Sequence, residues 1–328
     1  MSAIPWSSAK DNLLLWGLQS AKGVVATTFE SIPTEPNEQV IDFDPQWAWL
    51  QFGGGFRGKT HGFSKGMKVD GKLVIPAVPG YVLDPTSPLG LWLTQVQAAA
   101  SYFQGYYATI IKGIVTGSDI YVEQYMDVKC SGGSIKFAYG NELGVLVEAN
   151  MIGLDDPTTS DDDVPATWPS SGISEHLFSV TPWAFSEAAI SLGYGGDPVA
   201  SENLTDNHQL DWDMTLDVVN ALSGQMAPVD APNTEWPDWT GSFDKPWVDH
   251  NIRQAFLNGD ECAYQAVLAR GGGECTISMP RIKYTASPLN PATSGLNRQS
   301  GNAFQALASL SDKTADGMPC TITETAAS

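Results

Sequence analysis

Apolar and polar positions alternate in short runs along most of this chain, and the runs are separated by glycine and proline rather than by long amphipathic stretches. Period-two alternation puts successive side chains on opposite faces of a strand. Three runs in close order carry it best. Residues 120–130 alternate around Tyr121, Glu123, Tyr125 and Asp127; residues 134–139 set Ile135, Phe137 and Tyr139 against Ser134, Lys136 and Ala138; residues 143–152 place Val145, Val147, Ala149 and Met151 on one side. With Gly132-Gly133 and Gly140-Asn141 as turns, these predict an antiparallel meander. Upstream, residues 46–52 form an aromatic strand running into Gly53-Gly54-Gly55. Residues 73–79 form a short apolar strand whose Pro76 and Pro79 suit an edge or a terminus. Residues 89–104 carry Leu91, Val96, Ala99 and Ala100 at helical spacing and predict the principal helix, with Tyr102, Phe103, Tyr106 and Tyr107 as core or contact aromatics. Residues 13–28 alternate weakly and fit either a short helix or an extended arm.

Between 155 and 183 the pattern breaks into prolines, serines and Asp161-Asp162-Asp163, which reads as a long loop or a boundary. Alternation resumes at 210–222 through Trp212, Met214, Leu216 and Val218, and continues at 263–268 and 274–285. There is no tandem repeat at a fixed period, so two related sheets and one elaborated sandwich fit equally well. The expected organisation has three parts. Residues 1–154 hold an N-terminal arm and the first part of a β core, and 155–209 are an acidic, loop-rich insertion or boundary. Residues 210–328 form a second β-rich section that completes the core or makes a further domain.

Composition supports a folded, β-rich chain: of 328 residues 42% are apolar, 11 Trp, 12 Phe and 10 Tyr supply large apolar surfaces, and 32 Gly with 21 Pro favour turns. The four cysteines, Cys130, Cys262, Cys275 and Cys320, are too few and too dispersed for a disulfide framework and read as structural thiols. The opening residues lack a basic leader region, and no stretch approaches the roughly 20 apolar residues of a membrane span, so cytoplasmic synthesis and no membrane association are expected. Charge is the most uneven feature. The net charge is −20, and residues 137–244 contain no Lys or Arg but 19 of the 37 acids. That block disfavours attraction to nucleic-acid phosphates and anionic membranes. It is either a solvated surface or a surface that nucleic acid passes without sticking. The main basic cluster, Arg57, Lys59, Lys65, Lys68 and Lys72, sits among glycines and is offered from loops or short β segments.

The residues that carry chemistry elsewhere form no strong motif here. His61, His176, His208 and His250 are widely spaced, with no His-x-x-His, His-Glu-x-x-His or Cys-x-x-Cys pattern, so no zinc site is expected. Asp155-Asp156 and Asp161-Asp162-Asp163 lack the glycine and terminal glutamate of an EF-hand loop and read as solvated loops or a divalent-cation site. Asp206, Asp211 and Asp213 form another weak cluster. At alternate strand positions the last two share a face, which creates repulsion as readily as a glycosidase pair. Gly53-Gly54-Gly55 and Gly271-Gly272-Gly273 lack the Lys-Ser/Thr of a phosphate loop, and there is no Gly-x-Ser-x-Gly. No catalytic residue or cofactor is expected. A carbohydrate-binding β-protein and an acidic glycoside hydrolase stay open as alternatives.

The ordered set of segments carries a resemblance. Residues 15–28 (Leu15-Trp16-Gly17-Leu18-Gln19-Ser20-Ala21-Lys22-Gly23 and onward), 66–76 with Leu89-Gly90-Leu91-Trp92-Leu93, and 127–137 followed by 143–154 are together similar to the tail tube proteins of long-tailed bacteriophages. The likeness is best over 12–154 and returns more faintly at 210–222 and 260–286. It implies a mainly β fold, a sandwich or barrel-like core with a flanking helix, elaborated by the second β-rich section and long loops. It also implies a structural, non-enzymatic virion protein of the viral tail, assembled in the host cytoplasm. Six-subunit rings stack into a hollow tube that viral DNA traverses without specific binding. Tape measure and tail completion or baseplate proteins are the further partners. Under this resemblance the N-terminal arm and residues 41–72 contact neighbouring subunits or rings, and Arg57, Lys59, Lys65, Lys68 and Lys72 meet acids of the 137–244 block on another subunit.

Overall fold

The structure is a computed structural model that describes residues 12–32, 40–50, 61–95, 104–116, 119–137, 144–155, 158–160, 169, 172–194, 200–201, 206–220, 227–247, 250–288, 297–309 and 318–325. The first half runs β1 (Asn12–Leu18), β2 (Phe29–Ser31), β3 (Val40–Leu50), β4 (His61–Pro76), α1 (Pro88–Thr94), β5 (Ala108–Thr116), β6 (Asp119–Phe137), β7 (Leu146–Gly153) and β8 (Thr158–Ser160). A link follows with β9 (Ile173–Ser174) and the single-turn helix α2 (His176–Ser179). The second half runs β10 (Ala188–Tyr194), β11 (Ala200–Ser201), β12 (Asp206–Asp213), β13 (Asp238–Pro246), α3 (Asn251–Asn258), β14 (Cys262–Arg270), β15 (Gly273–Ala286), β16 (Arg298–Ala306) and β17 (Thr321–Thr325).

The expected sandwich or barrel is not what forms. The fold is mixed α/β, mostly strand, with two helices of about two turns and a sheet that does not close. From β6 the pairing runs one way through β5, β1, β2 and β9, a second way through β7 and β4 to β3, and a third way through β12, β13, β16, β15, β14 and β10 to β11. Among the described residues no pairing joins the ends of these branches. The cause lies in β6. The predicted turn at Gly132-Gly133 is instead the inside of one strand, so two expected strands are a single one of 19 residues. Asp127 (φ 53°) and Gly132 (φ 137°) bend it, and its pairing with β7 slips between Cys130 and Gly132. Val128 stands opposite Ala108 and Gly153 at once, and Ile135 opposite Val147 and Leu210 at once. Hence β5 and β12 occupy the same edge of β6 in succession, and the sheet branches instead of curling shut.

The two halves have the same connectivity. The pairs β1–β2, β1–β5, β3–β4, β4–β7, β5–β6, β6–β7 and β6–β8 are matched one for one by β10–β11, β10–β14, β12–β13, β13–β16, β14–β15, β15–β16 and β15–β17. Irregularities match as well. The β5–β6 register slips between Ala108 and Ile110, next to the Val128 partner, and β14–β15 slips between Cys262 and Tyr264, next to the Ile282 partner. A second slip follows at Cys130/Gly132 in β6 and at Tyr284/Ala286 in β15. The helices correspond too: α1 packs on β6 and β1, α3 on β15 and β10. Aligned this way, Ile41-Asp42-Phe43-Asp44 of β3 falls on Leu210-Asp211-Trp212-Asp213 of β12, with Ile41 opposite Gly71 and Leu210 opposite Gly241.

Strand faces follow the alternation: β7, β13 and β15 each bury every second side chain over most of their length. One hydrophobic cluster draws on both halves, from Leu14 and Trp16 through Ile135 and Leu210 to Phe304 and Cys320. A smaller one, Leu15, Ala26, Phe29, Ile111 and Val122, covers the other face of β1, β5 and β6. The principal helix starts as expected: Ser87 accepts from Gly90 N–H at 2.9 Å and Pro88 opens the first turn. It ends at Thr94, where Gln95 turns left-handed (φ 53°), and residues 96–103 lie outside the described residues. Trp92 donates to the Val128 carbonyl at 2.9 Å, which fixes the helix beside the bend of β6.

Candidate assembly interface

The joint between the halves is the β6–β12 ladder, residues 132–137 against 208–213. Glycine makes it possible. A Cβ on Gly133 would lie 2.0 Å from the Glu148 carbonyl oxygen and 2.7 Å from the Trp212 ring, so β7 and Trp212 close on Gly133 from two sides. Trp212 then stacks on Trp239, ring centres 5.4 Å apart. At the other end His208 sits fully enclosed among Phe137, Phe243 and Tyr264. It stacks on Tyr264 at 5.4 Å, and its Nε2 shares a 2.6 Å hydrogen bond with the Tyr264 hydroxyl. Burial drives the His208 pKa from 6.5 down to about 3, so the ring is neutral.

A second clasp crosses the same joint. Buried Lys129 of β6 donates to the carbonyls of Ala231 (2.6 Å) and Gln104 (3.0 Å) and lies 5.5 Å from the centre of the Tyr107 ring. Lys22 pairs with Asp230 at 3.3 Å, and the Tyr107 hydroxyl donates to that carboxylate. Burial lowers the Lys129 pKa from 10.5 to about 8. The unfolded chain therefore binds more protons between these values, and stability from this group rises with pH across that window. Relative to Lys129→Met, the wild-type chain is expected to gain up to about 3 kcal/mol between pH 8 and 10.5, at 1.36 kcal/mol per pKa unit. Urea unfolding of both proteins at each pH checks this, because the difference cancels the tyrosines and cysteines that titrate nearby. A constant difference would show that Lys129 titrates alike in both states.

The predicted contact cations are partly engaged within the chain. Arg57 and Lys59 lie outside the described residues. Lys65 is the residue that a bulge in the β3–β4 ladder leaves without an opposite residue, between Ser64 and Gly66. Lys68 is exposed and pairs with Asp70 along its own strand at 2.6 Å. Lys72 reaches Glu148 of β7 at 2.7 Å, and Lys136 reaches the same carboxylate at 2.6 Å. Glu148 belongs to the acidic block, so Lys72 meets that block inside its own chain. Burial opposes the charge on Glu148, but the two ammonium groups outweigh it and hold the carboxyl below its ordinary range. Lys112 pairs with Glu123 at 2.7 Å and also donates to the Ile41 carbonyl, holding the start of β3 against the body.

Other candidates acquire clear places. Asp211 and Asp213 share the more exposed face of β12, opposite buried Leu210 and Trp212, and Asp211 accepts from Gln209. Asp161-Asp162-Asp163 lie outside the described residues. Among the described residues no three His, Cys, Asp or Glu side chains converge as a metal site, and no helix is long and apolar enough to cross a membrane. The four cysteines are buried and form no disulfide; burial pushes the Cys130 pKa up to about 12 and raises those of Cys275 and Cys320 further. Sequence reading missed the roles of Gly133, Lys129 and His208. The one signal pointing to the joint is the echo of Ile-Asp-Phe-Asp in Leu-Asp-Trp-Asp.

The β3–β4 hairpin is the other candidate surface. β4 pairs with β7 only from Asp70 to Pro76, whereas its ladder with β3 continues back to His61. Residues 61–69 and their partners therefore extend from the sheet as a two-stranded ribbon. Neither outer edge of the ribbon carries a strand among the described residues. No family model and no curated protein matches this chain.

Proposed function

We propose that this chain is a structural protein of the virion, the tail tube protein of a long-tailed bacteriophage. Its copies assemble into six-subunit rings, and the rings stack into a hollow tube that passes viral DNA. The observation that carries this reading is the projecting β3–β4 ribbon on a sheet with open edges. A two-stranded ribbon is marginal in water by itself, and its unpaired N–H and C=O groups seek another strand or surface. A neighbouring copy supplies both. The resemblance of residues 12–154 to tail tube proteins supports the same assignment. The acid-rich block supports passage of DNA, because carboxylates facing the lumen repel phosphate. Tape measure and tail completion or baseplate proteins are the partners that such a tube requires at its core and ends.

Replacing residues 47–64 by an Asn-Gly turn tests the reading. The shortened protein is expected to keep the circular dichroism of the parent and its unfolding free energy to within about 1 kcal/mol, since the ribbon lies outside the β4–β7 ladder. Filaments and stacked rings in negative-stain micrographs are expected for the parent and absent for the variant. Filaments of unchanged length from the shortened chain would remove the ribbon from the assembly contact.

A further inference from the structure

Two folding units of the same connectivity follow one another in the chain, and the β6–β12 ladder joins them. In the internal joint, β12 of the second unit lies on β6 of the first, on the stretch beyond Val128 where β5 has left that edge. The corresponding stretch of β15 begins after Ile282, where β14 leaves. It keeps β16 on its other edge, since Ile282 stands opposite Cys262 and Ala306 at once. The strand that corresponds to β12 is β3, which has β4 on one edge and no strand on the other among the described residues. Both strands of a second joint are thus present in one chain, β3 at the end of one branch and β15 inside another, and among the described residues they do not pair.

We infer that β3 of one copy enters beside β15 of a second copy, as β12 lies beside β6 within the chain. Counting from the matched residues Val128 and Ile282, Gly132 corresponds to Ala286; Asp213 corresponds to Asp44. Asp44 of one copy therefore stands opposite Ala286 of the next, as Asp213 stands opposite Gly132. The contact is head-to-tail, since the two surfaces differ, and such contacts close into rings or run on as filaments. It is also weaker than the internal joint. Met214 donates to the Ser131 carbonyl at 3.1 Å across the internal joint, but its counterpart is Pro45, which has no N–H. Pro288 likewise replaces Ser134. Fewer backbone bonds join chain to chain than unit to unit, so the whole chain is the piece exchanged in assembly. Each chain supplies two units, so the inferred contact fills the ring with three chains in place of the six subunits proposed above. The inference rests on the assembly reading above for the ring, and on the pairing registers for the contact.

Cross-linking with mass measurement tests it. Full-length chains carrying Asp44→Cys or Ala286→Cys are mixed and oxidised; the native thiols are buried, which keeps background low. Gln209→Cys with Lys136→Cys in one chain is the positive control, because those residues stand opposite each other in the internal joint. A disulfide-linked pair of chains is expected from the mixture and not from either variant alone. Native mass spectrometry of parental rings is expected to give three times 35.1 kDa. Rings of six chains, or rings of any mass without the cross-link, would overturn the inference and leave the tube reading intact. A chain that stays monomeric at every concentration would overturn both.

Discussion

Gly133→Ala is expected to destabilise the chain by about 3 kcal/mol or more, among the largest costs a single methyl group can impose. The added carbon would lie 2.0 Å from the Glu148 carbonyl oxygen, which is backbone held in the β6–β7 ladder and cannot swing aside. Trimming Trp212 does not restore the variant, because the nearest clash is with β7 and not with the indole. Gly271→Ala is the control. Gly271 sits in the β14–β15 turn at φ 58° with nothing within 4 Å of its missing Cβ, so only the left-handed backbone resists, at about 1 kcal/mol. Urea unfolding of both variants is the measurement. Equal small losses would mean that β7 and β12 do not close on Gly133 as described.

Acid is expected to unlock the same joint from its other end. His208 is neutral and enclosed, with a pKa of about 3 against 6.5 when exposed. Below pH 6.5 the unfolded chain binds a proton that the folded chain refuses until about pH 3, so stability falls as pH falls through this window. The loss from this one residue approaches about 4 to 5 kcal/mol at 1.36 kcal/mol per pKa unit. His208→Phe keeps a ring in the stack and removes the titration, at a cost of about 1 to 3 kcal/mol for the Tyr264 hydroxyl left unpaired. The variant is therefore less stable than the wild type at pH 7 and is expected to overtake it between about pH 5.8 and 4.3, where the loss at His208 reaches the 1 to 3 kcal/mol cost. Curves that stay parallel across the range would show that His208 is not the acid-sensitive group.

Much of the local structure was legible in the sequence. Alternation placed β7, β14 and β15 to within a few residues, because a half-buried strand writes its two faces directly into the chain. The start of α1 was legible to within one residue from its apolar spacing, whereas the Ser87 cap was not read and the helix ends at Thr94, well short of the expected 104. Gly132-Gly133 misled. A glycine pair reads as a turn when only neighbours along the chain are considered, yet here it lies inside one strand, where Gly132 bends the backbone and Gly133 lets Trp212 and β7 approach. The fold expectation failed at the same place. A closed sheet needs a strand that keeps its partners, whereas β6 exchanges β5 for β12 on one edge at its bend.

The candidate interface was less legible. Lys72 and Lys68 were visible as a basic cluster, but a cation in a sequence does not announce whether its acid lies across the sheet or on another molecule. Lys72 finds Glu148 on β7, the strand paired directly with β4 but far along the chain. His208 and Lys129 looked ordinary because their character comes from enclosure by residues far along the chain: Tyr264 and Phe243 for one, Ala231 for the other.

By itself the sequence determined strand-rich local structure, an acidic middle without cations, and the start of α1, because alternation, charge and helical spacing act over a few residues. Only the tertiary structure decided that the two halves are one unit built twice. Bulge positions and edge partners define that likeness, and they are set by backbone hydrogen bonds between distant segments, which different side chains can share.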